Sequence, residues 1–351
     1  MYKDKMLEKV KQIKAQKDVL ILAIETSCDE TSIAVVKNGR EVLSNVISSQ
    51  IEIHKRFGGV VPEVASRNHT MAIVNVLDES LKNAGVALKD IDAIGVTYGA
   101  GLIGALMVGV NFAKGLAYAN NLPLIEVNHI KGHIAANYIA HKNLEPPFVC
   151  LVVSGGHTAL LKVTDYLNHT LISSTLDDAV GEAYDKVARV LGLGYPGGPV
   201  IDKLAKEGQN NIQFVNSAKL GKLNGFSYSG LKTAVINYIN TLKQKGEELP
   251  INNICASFQA SAIDILIDRA IKTAKKQKLN KIVLAGGVSA NSYLRAEMKN
   301  RAQKEDLEVY FPPLIMCTDN AAMIGAQAYY NLITEVGITD LNLTPKASLP
   351  L

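Results

Sequence analysis

Apolar residues run unbroken for the length of a strand at VLILAIE (19–25) and again at FVCLVV (148–153). A short polar turn follows each run, TSCDET in one case and SGGHT in the other, and a second apolar run, SIAVV or ALLKV, follows the turn. A continuous apolar run bounded by turn residues predicts a buried strand, and its prompt return predicts an antiparallel hairpin partner. The pattern occurs once in each half of the chain, which predicts two similarly built halves.

Behind each hairpin, apolar strand-length runs alternate with helical patterns. PLIEV precedes a helix at His129, and KIVLA precedes GGVSANSYLRAEM. Such alternation predicts α/β layers with partly parallel sheets. Residues 93–113, AIGVTYGAGLIGALMVGVNFA, carry no charge and are long enough to span a bilayer. Glycines at 95, 99, 101, 104 and 109 divide them into a strand, a tight turn and a helix, so a buried βα unit is expected instead. Two hairpin-led halves facing each other across a cleft would turn TSCDET and SGGHT toward one nucleotide-sized gap. That is the architecture of the actin, sugar kinase and Hsp70 superfamily: two actin-like (ribonuclease H-like) α/β domains around a nucleotide-binding cleft. The expected division is a basic N-terminal extension over 1–19, an N-terminal domain over 20–145, a C-terminal domain over 146–335 and a tail over 336–351. The prolines of HKNLEPPF mark the junction, and the final helix has the option of packing back on the first domain.

Composition adds little to this. With 351 residues, 48% of them hydrophobic and 20% charged, the chain is a folded protein of about two domains. A net charge of +4 excludes a polybasic binder but leaves room for a local basic face. Cys28, Cys150, Cys255 and Cys317 form no CxxC pair and suggest no disulfide framework at this size, and residues 1–18 lack the apolar core of a secretion signal. The expectation is a reduced, cytoplasmic protein.

Six segments carry candidate chemistry. GAGLIG satisfies GxGxxG between a strand and a helix, with Glu126 in the next strand, as in a dinucleotide fingerprint. Glu126 does not end its strand, however, and close packing of the turn accounts for the glycines better. His129 and His133 in NHIKGHIAAN share one helical face at the i, i+4 spacing by which two imidazoles grip a metal. Ile130 stands where a zinc protease needs its general base, so peptidase chemistry is not expected. SGGHT suits the wrapping of a phosphate or carboxylate by backbone N–H groups, although an ordinary hairpin turn explains it as well. AGGVSAN would let a flat purine or ribose approach the backbone at Gly286 and Gly287. In DDAVGEAYDKVARVLGLGYPGGPVIDKLA, Asp185 and Asp202 flank a glycine loop with a helix starting at Pro199; they suit ribose hydroxyls, or serve as caps. In CTDNAAMIGAQA, Asp319 reads as an N-cap or as the oxygen ligand completing a His2Asp site.

Together these motifs resemble one family closely, the tRNA N6-adenosine threonylcarbamoyltransferases (TsaD family, formerly called O-sialoglycoprotein endopeptidases). The resemblance runs from about Ile21 to Ala326 through AIETSCDETSIAVV, FGGVVPEVASRNH, GAGLIGALMVGV, VNHIKGHIAAN, LVVSGGHTAL, GEAYDKVARVLGLGYPGGP, FSYSGLKTA, AGGVSANSYLR and CTDNAAMIGA, in that order. It implies that His129, His133 and Asp319 bind one Fe2+ ion per subunit, with Zn2+ as the alternative. It implies that Val152, Val153, Ser154, Gly155, Gly156, Asp185, Gly198, Asp202 and Asn291 hold threonylcarbamoyl-adenylate. The implied reaction moves the threonylcarbamoyl group to N6 of adenosine 37 in tRNAs reading codons that begin with A. No covalent enzyme nucleophile is assigned. Implied partners are tRNA, a paralogous pseudo-enzyme subunit (TsaB) forming a heterodimer, an ATPase subunit (TsaE) and an upstream synthase that makes the adenylate. Lys131 stands where many relatives have Glu, and Asn68 where Asp is frequent. Lys219, Lys222 and Lys232, around FSYSGLK, are the expected local basic face for tRNA. Two other readings compete. One is a small-molecule kinase of the same fold, which would hold Mg2+ with carboxylates and need no histidine pair; the other is a catalytically silent nucleotide-binding scaffold.

Overall fold

A computed structural model of the protein describes residues 2–214 and 225–350. They divide into two compact units, Met1–Glu145 together with Pro312–Leu351, and Pro146–Phe311. In the first unit, β1 (Leu20–Glu25) pairs antiparallel with β2 (Glu30–Lys37), and β2 with β3 (Glu41–Ser49). Strand β4 (Ala93–Gly99) lies parallel to β1, and β5 (Leu124–Asn128) parallel to β4, giving the order β3-β2-β1-β4-β5.

Both faces of this sheet are covered, which is why its central strands read as continuous apolar runs and not as alternating ones. Leu22, Ile24, Ile33 and Val35 point to one face, where α3 (Pro62–Ala84) and α4 (Ile103–Ala119) bring Ile73, Val76, Val110 and Ala113 against them. Ile21, Ala23, Ala34 and Val36 point to the other. There, α1 (Tyr2–Ile13) inserts Met6, Val10 and Ile13, each at most 2% exposed. The basic extension expected over 1–19 is therefore an amphipathic helix built into the core, each buried side chain contributing roughly 1.5–3 kcal/mol. The short helix α2 (Ile51–Lys55) leads into α3, and α5 (His129–Ala140) leaves the end of β5.

The second unit repeats the plan. Strands β6 (Phe148–Val153), β7 (Thr158–Val163) and β8 (His169–Ser174) form the antiparallel series. Strand β9 (Lys281–Ala285) lies parallel to β6, and β10 (Glu308–Tyr310) parallel to β9. The order β10-β9-β6-β7-β8 is that of the first sheet, with the first hairpin strand in the middle of each. Around it stand α6 (Val180–Leu191), α7 (Gly197–Ala205), α8 (Ser229–Lys245), α9 (Ile251–Gln277) and α10 (Ser292–Gln303).

The final helix, α11 (Ala321–Ile333), belongs to the first unit, so the second unit ends at Phe311 and not at residue 335. Small residues make this possible. A Cβ on Gly325 would lie 2.6 Å from Val36 Cγ2, one on Gly95 2.6 Å from Ala328 Cβ, and one on Gly132 2.6 Å from Ile324 Cδ1. The helix thus rests directly on the strands and on α5. The strand, turn and helix expected within 93–113 are β4, its turn and α4, and no described helix is long and apolar enough to cross a membrane.

Candidate active site

Asn128 ends β5 and caps α5, its Oδ1 accepting from the Ile130 and Lys131 N–H groups at 2.9 and 3.3 Å. That cap fixes where the helix begins, and so where its first residue, His129, points. One turn on, His133 stands beside it, the rings meeting edge to face with centroids 4.6 Å apart. The chain delivers Asp319 to the pair just before α11. Asp319 does not cap that helix as its position suggested: Asn320 does, accepting from Met323 N–H at 3.1 Å, while Ser32 Oγ accepts from Ala321 N–H at 2.8 Å. The Asp319 carboxylate is thereby left for the histidines, with Oδ1 3.2 Å from His133 Nε2 and 3.5 Å from His129 Nε2.

These three ligand atoms lie within 4.8 Å of one another. Ligands about 2.1 Å from one ion lie roughly 3.0–3.5 Å apart at tetrahedral or octahedral angles, so the donor set suits Fe2+ or Zn2+. Charge points the same way. Burial disfavours a charged His129, yet the Asp319 and Glu25 carboxylates outweigh it and push its pKa up to about 9. Glu30 is pushed up to about 10, by burial first and then by the Asp319 and Asp29 carboxylates. The pocket holds more carboxylate than cation, the imbalance a metal ion would relieve.

Sequence reasoning missed Glu25, which closes β1 and touches His129. Its signal was present as an acidic residue terminating an otherwise apolar buried run, a position more often polar for turn reasons than for chemistry.

In the second unit, the turn 154–157 joins β6 to β7, held by Ser154 N–H to the His157 carbonyl at 2.8 Å and His157 N–H to Ser154 Oγ at 3.1 Å. Val152 and Val153 are buried beneath it. A Cβ on Gly155 or Gly156 would meet nothing within 4 Å, so the backbone here fronts open space. Gly286 lies against the same turn with φ +91°, where a Cβ would stand 2.5 Å from the Val153 carbonyl oxygen. Asp185 accepts from Gly197 N–H at 2.8 Å, which starts α7 at Gly197, two residues earlier than expected. Burial raises the Asp185 pKa, opposed by that N–H and by Arg189. Gly198 also fronts open space. Asp202 accepts from the Ser292 hydroxyl at 2.9 Å and its N–H at 3.2 Å, so it caps α10 and not its own helix. Next to it Asn291 accepts from Leu294 N–H at 2.9 Å and donates to Gln259 Oε1 at 2.7 Å. Asp185 and Asp202 each retain acceptor capacity beyond these bonds.

GAGLIG is the closely packed turn expected and no dinucleotide loop: Gly101 N–H donates to the Ala347 carbonyl at 3.0 Å and Leu102 N–H to the Ser27 carbonyl at 2.8 Å. The donors a pyrophosphate would need are taken, and the glycines admit Ser27 and the tail, a Cβ on Gly99 falling 2.4 Å from the Lys346 carbonyl oxygen. Lys232 is not a free tRNA contact, since its Nζ pairs with Asp178 at 2.5 Å. Lys219 and Lys222 lie outside the described residues.

The sequence profile of the family described as tRNA N6-adenosine threonylcarbamoyltransferase (TsaD) matches residues 41–326. A Clostridium perfringens protein of that name is 57% identical over 333 residues, 95% of this chain and 98% of its own. The chain belongs to the tRNA N6-adenosine threonylcarbamoyltransferase family. A relative of the same name from Clostridium novyi is 55% identical over 336 residues, again 95% of this chain and 98% of its own. Among solved structures, full-length HypF in its phosphate- and nucleotide-bound form aligns at TM-score 0.61 and 17% identity over 92% of this chain and 47% of HypF. The HypF of T. kodakarensis aligns at 0.62 and 15% over 91% and 48%. At such identities the likeness is one of fold, and it agrees with the two five-stranded sheets.

Proposed function

We propose that the protein transfers the threonylcarbamoyl group from threonylcarbamoyl-adenylate to N6 of adenosine 37 in tRNAs reading codons that begin with A, releasing AMP. The observation that carries this is the 57% identity to a named threonylcarbamoyltransferase over 95% of the chain. The reaction is attack by a weakly nucleophilic exocyclic amine on a mixed anhydride. The protein's work is positioning, and stabilising charge on the carbonyl oxygen and the departing AMP. The backbone of Gly155 and Gly156, in the turn that the Ser154 N–H ties to the His157 carbonyl above Val152 and Val153, offers N–H groups to those anionic oxygens. Asp185, Asp202 and Asn291, with open backbone at Gly198, take the ribose hydroxyls. No enzyme nucleophile is required, and none is assigned.

His129, His133 and Asp319 hold one Fe2+ per subunit, or Zn2+, in this reading. A bound ion of either kind would supply Lewis-acid polarisation of a substrate oxygen. The histidine pair favours this over the kinase alternative, which no observation supports. A tRNA substrate and four cysteines with no CxxC pair favour the cytoplasm.

For partners, a heterodimer with the paralogous pseudo-enzyme subunit (TsaB) is favoured by an apolar stripe on two adjacent helices. Met71 and Val74 of α3 and Ile103 and Met107 of α4 are 79%, 54%, 49% and 49% exposed. The ATPase subunit (TsaE) and the synthase that supplies the adenylate complete the set. The test is to incubate the protein with these partners, ATP, threonine, bicarbonate and unmodified tRNA, and digest to nucleosides. Appearance of the threonylcarbamoyl-adenosine mass is expected, and its absence with every component active overturns the reading.

A further inference from the structure

Glu25 closes β1 with its side chain wholly buried, and among the described residues no lysine or arginine pairs with it. Its Oε1 accepts from Ser27 N–H at 2.5 Å. Its Oε2 accepts from the Thr97 hydroxyl at 2.7 Å and lies 3.0 Å from His129 Nδ1. A carboxylate removed from water costs several kcal/mol, which two neutral donors do not offset. The remaining partner is the imidazole. With its Nδ1–H directed at Glu25, His129 has its Nε2 lone pair free, and that atom is the one beside Asp319.

We infer that Glu25 is the positioning residue of the metal centre, accepting the Nδ1–H of His129 to hold the ring in the orientation and tautomer whose Nε2 faces the ion. The inference rests on the metal reading above. Outer carboxylates of this kind fix ring orientation and raise the basicity of the ligating nitrogen. The second histidine gives an internal contrast: His133 Nδ1 is buried with no hydrogen-bond partner among the described residues, so on that side only packing holds its ring. One other group reaches His129 Nδ1, Ser27 Oγ at 3.1 Å, which is neutral. The two acceptors can therefore be separated by substitution.

The experiment uses the full chain with Zn2+ as probe, and compares wild type, Glu25→Gln and Ser27→Ala. Zinc affinity is read by chelator competition, imidazole 15N shifts in the zinc-loaded protein, and thermal unfolding without metal. Glu25→Gln, which keeps shape and removes charge, is expected to weaken zinc binding by about 10–100-fold without lowering the metal-free unfolding temperature. Ser27→Ala is expected to stay within about fivefold of wild type. In the wild type, the shifts should show His129 coordinated through Nε2 with Nδ1 protonated, a reading that needs no variant to fold. Wild-type affinity in Glu25→Gln, equal losses in the two variants, or coordination of His129 through Nδ1 each overturns the inference while leaving the metal reading intact. A wild type that binds no zinc or iron removes the metal reading and this inference with it.

Discussion

The two units lay down the same sheet order and then load their first hairpin with opposite chemistry. In the first, the turn after β1 is a buried knot of side chains, with Glu25, Thr26, Ser27, Asp29 and Glu30 all under 10% exposed. In the second, the turn after β6 exposes Gly155 and Gly156 and presents backbone. A metal is gripped by side-chain lone pairs and needs outer partners to aim them, whereas an adenylate's anionic oxygens are met by N–H groups that only a side-chain-free turn can bring close. In the proposed function one scaffold supports both, because the strand ends hold the turn in place whatever it carries.

That contrast is easiest to break at its metal end. Asp319→Ala or His129→Ala should reduce iron or zinc retention more than about 100-fold. Metal-free thermal unfolding should hardly move, because the ligands complete a site and not a core. Full metal occupancy in both variants, measured after purification without oxygen, would contradict it.

The glycine end is tested by two substitutions of the same size. Gly286→Ala places a Cβ against the Val153 carbonyl at a left-handed φ and should cost about 2–4 kcal/mol by denaturant unfolding. Gly155→Ala meets nothing and should stay within about 0.5 kcal/mol, while weakening binding of a non-hydrolysable adenylate analogue measured by calorimetry. Equal destabilisation by the two would mean that the turn is structural and not a cradle.

Removing residues 346–351 should act less strongly and only on the first unit. The tail's bonds to Tyr98 and Gly101 lie beside Ser27, so zinc affinity should fall by about two- to fivefold. Chelator competition on the truncated chain checks this.

The smallest effect expected is on pH dependence in the second unit. Asp178 is disfavoured as a charge by burial, but its bonds to Lys186 and Lys232 prevail and hold its carboxyl below the usual range. A carboxylate depressed in the folded state stabilises above its unfolded pKa, near 3.9, and that stability is lost as pH falls through the folded value. Asp178→Asn should therefore cost about 1 kcal/mol in urea at pH 7, and the gap to wild type should close toward pH 3.

Much of this was legible along the chain. The hairpins were plain because strands buried on both faces must be apolar throughout, and the His129–His133 pair because i, i+4 is a helical spacing. Asp202 and Asp319 were legible as chemistry with two roles open to each. Each read either as a cap of its own helix or as a site residue, and the structure sets Asp202 on Ser292 and Asp319 beside the two histidines. Glu25 was illegible for a related reason: nothing local separates an acid that ends a strand from an acid aimed at a histidine.

The amino-acid order by itself determined the repeated strand–turn–strand plan, the division at Pro146 and the family, since periodicity and turn chemistry are local properties. Only the tertiary structure decided that α1 is core and not extension, that α11 returns to the first sheet, and that Asp319 meets His129 and His133 while Glu25 holds His129 from behind. Those facts depend on which surfaces approach closely enough to exclude water, and glycines at 95, 132 and 325 set that approach only once the strands and helices around them are in place.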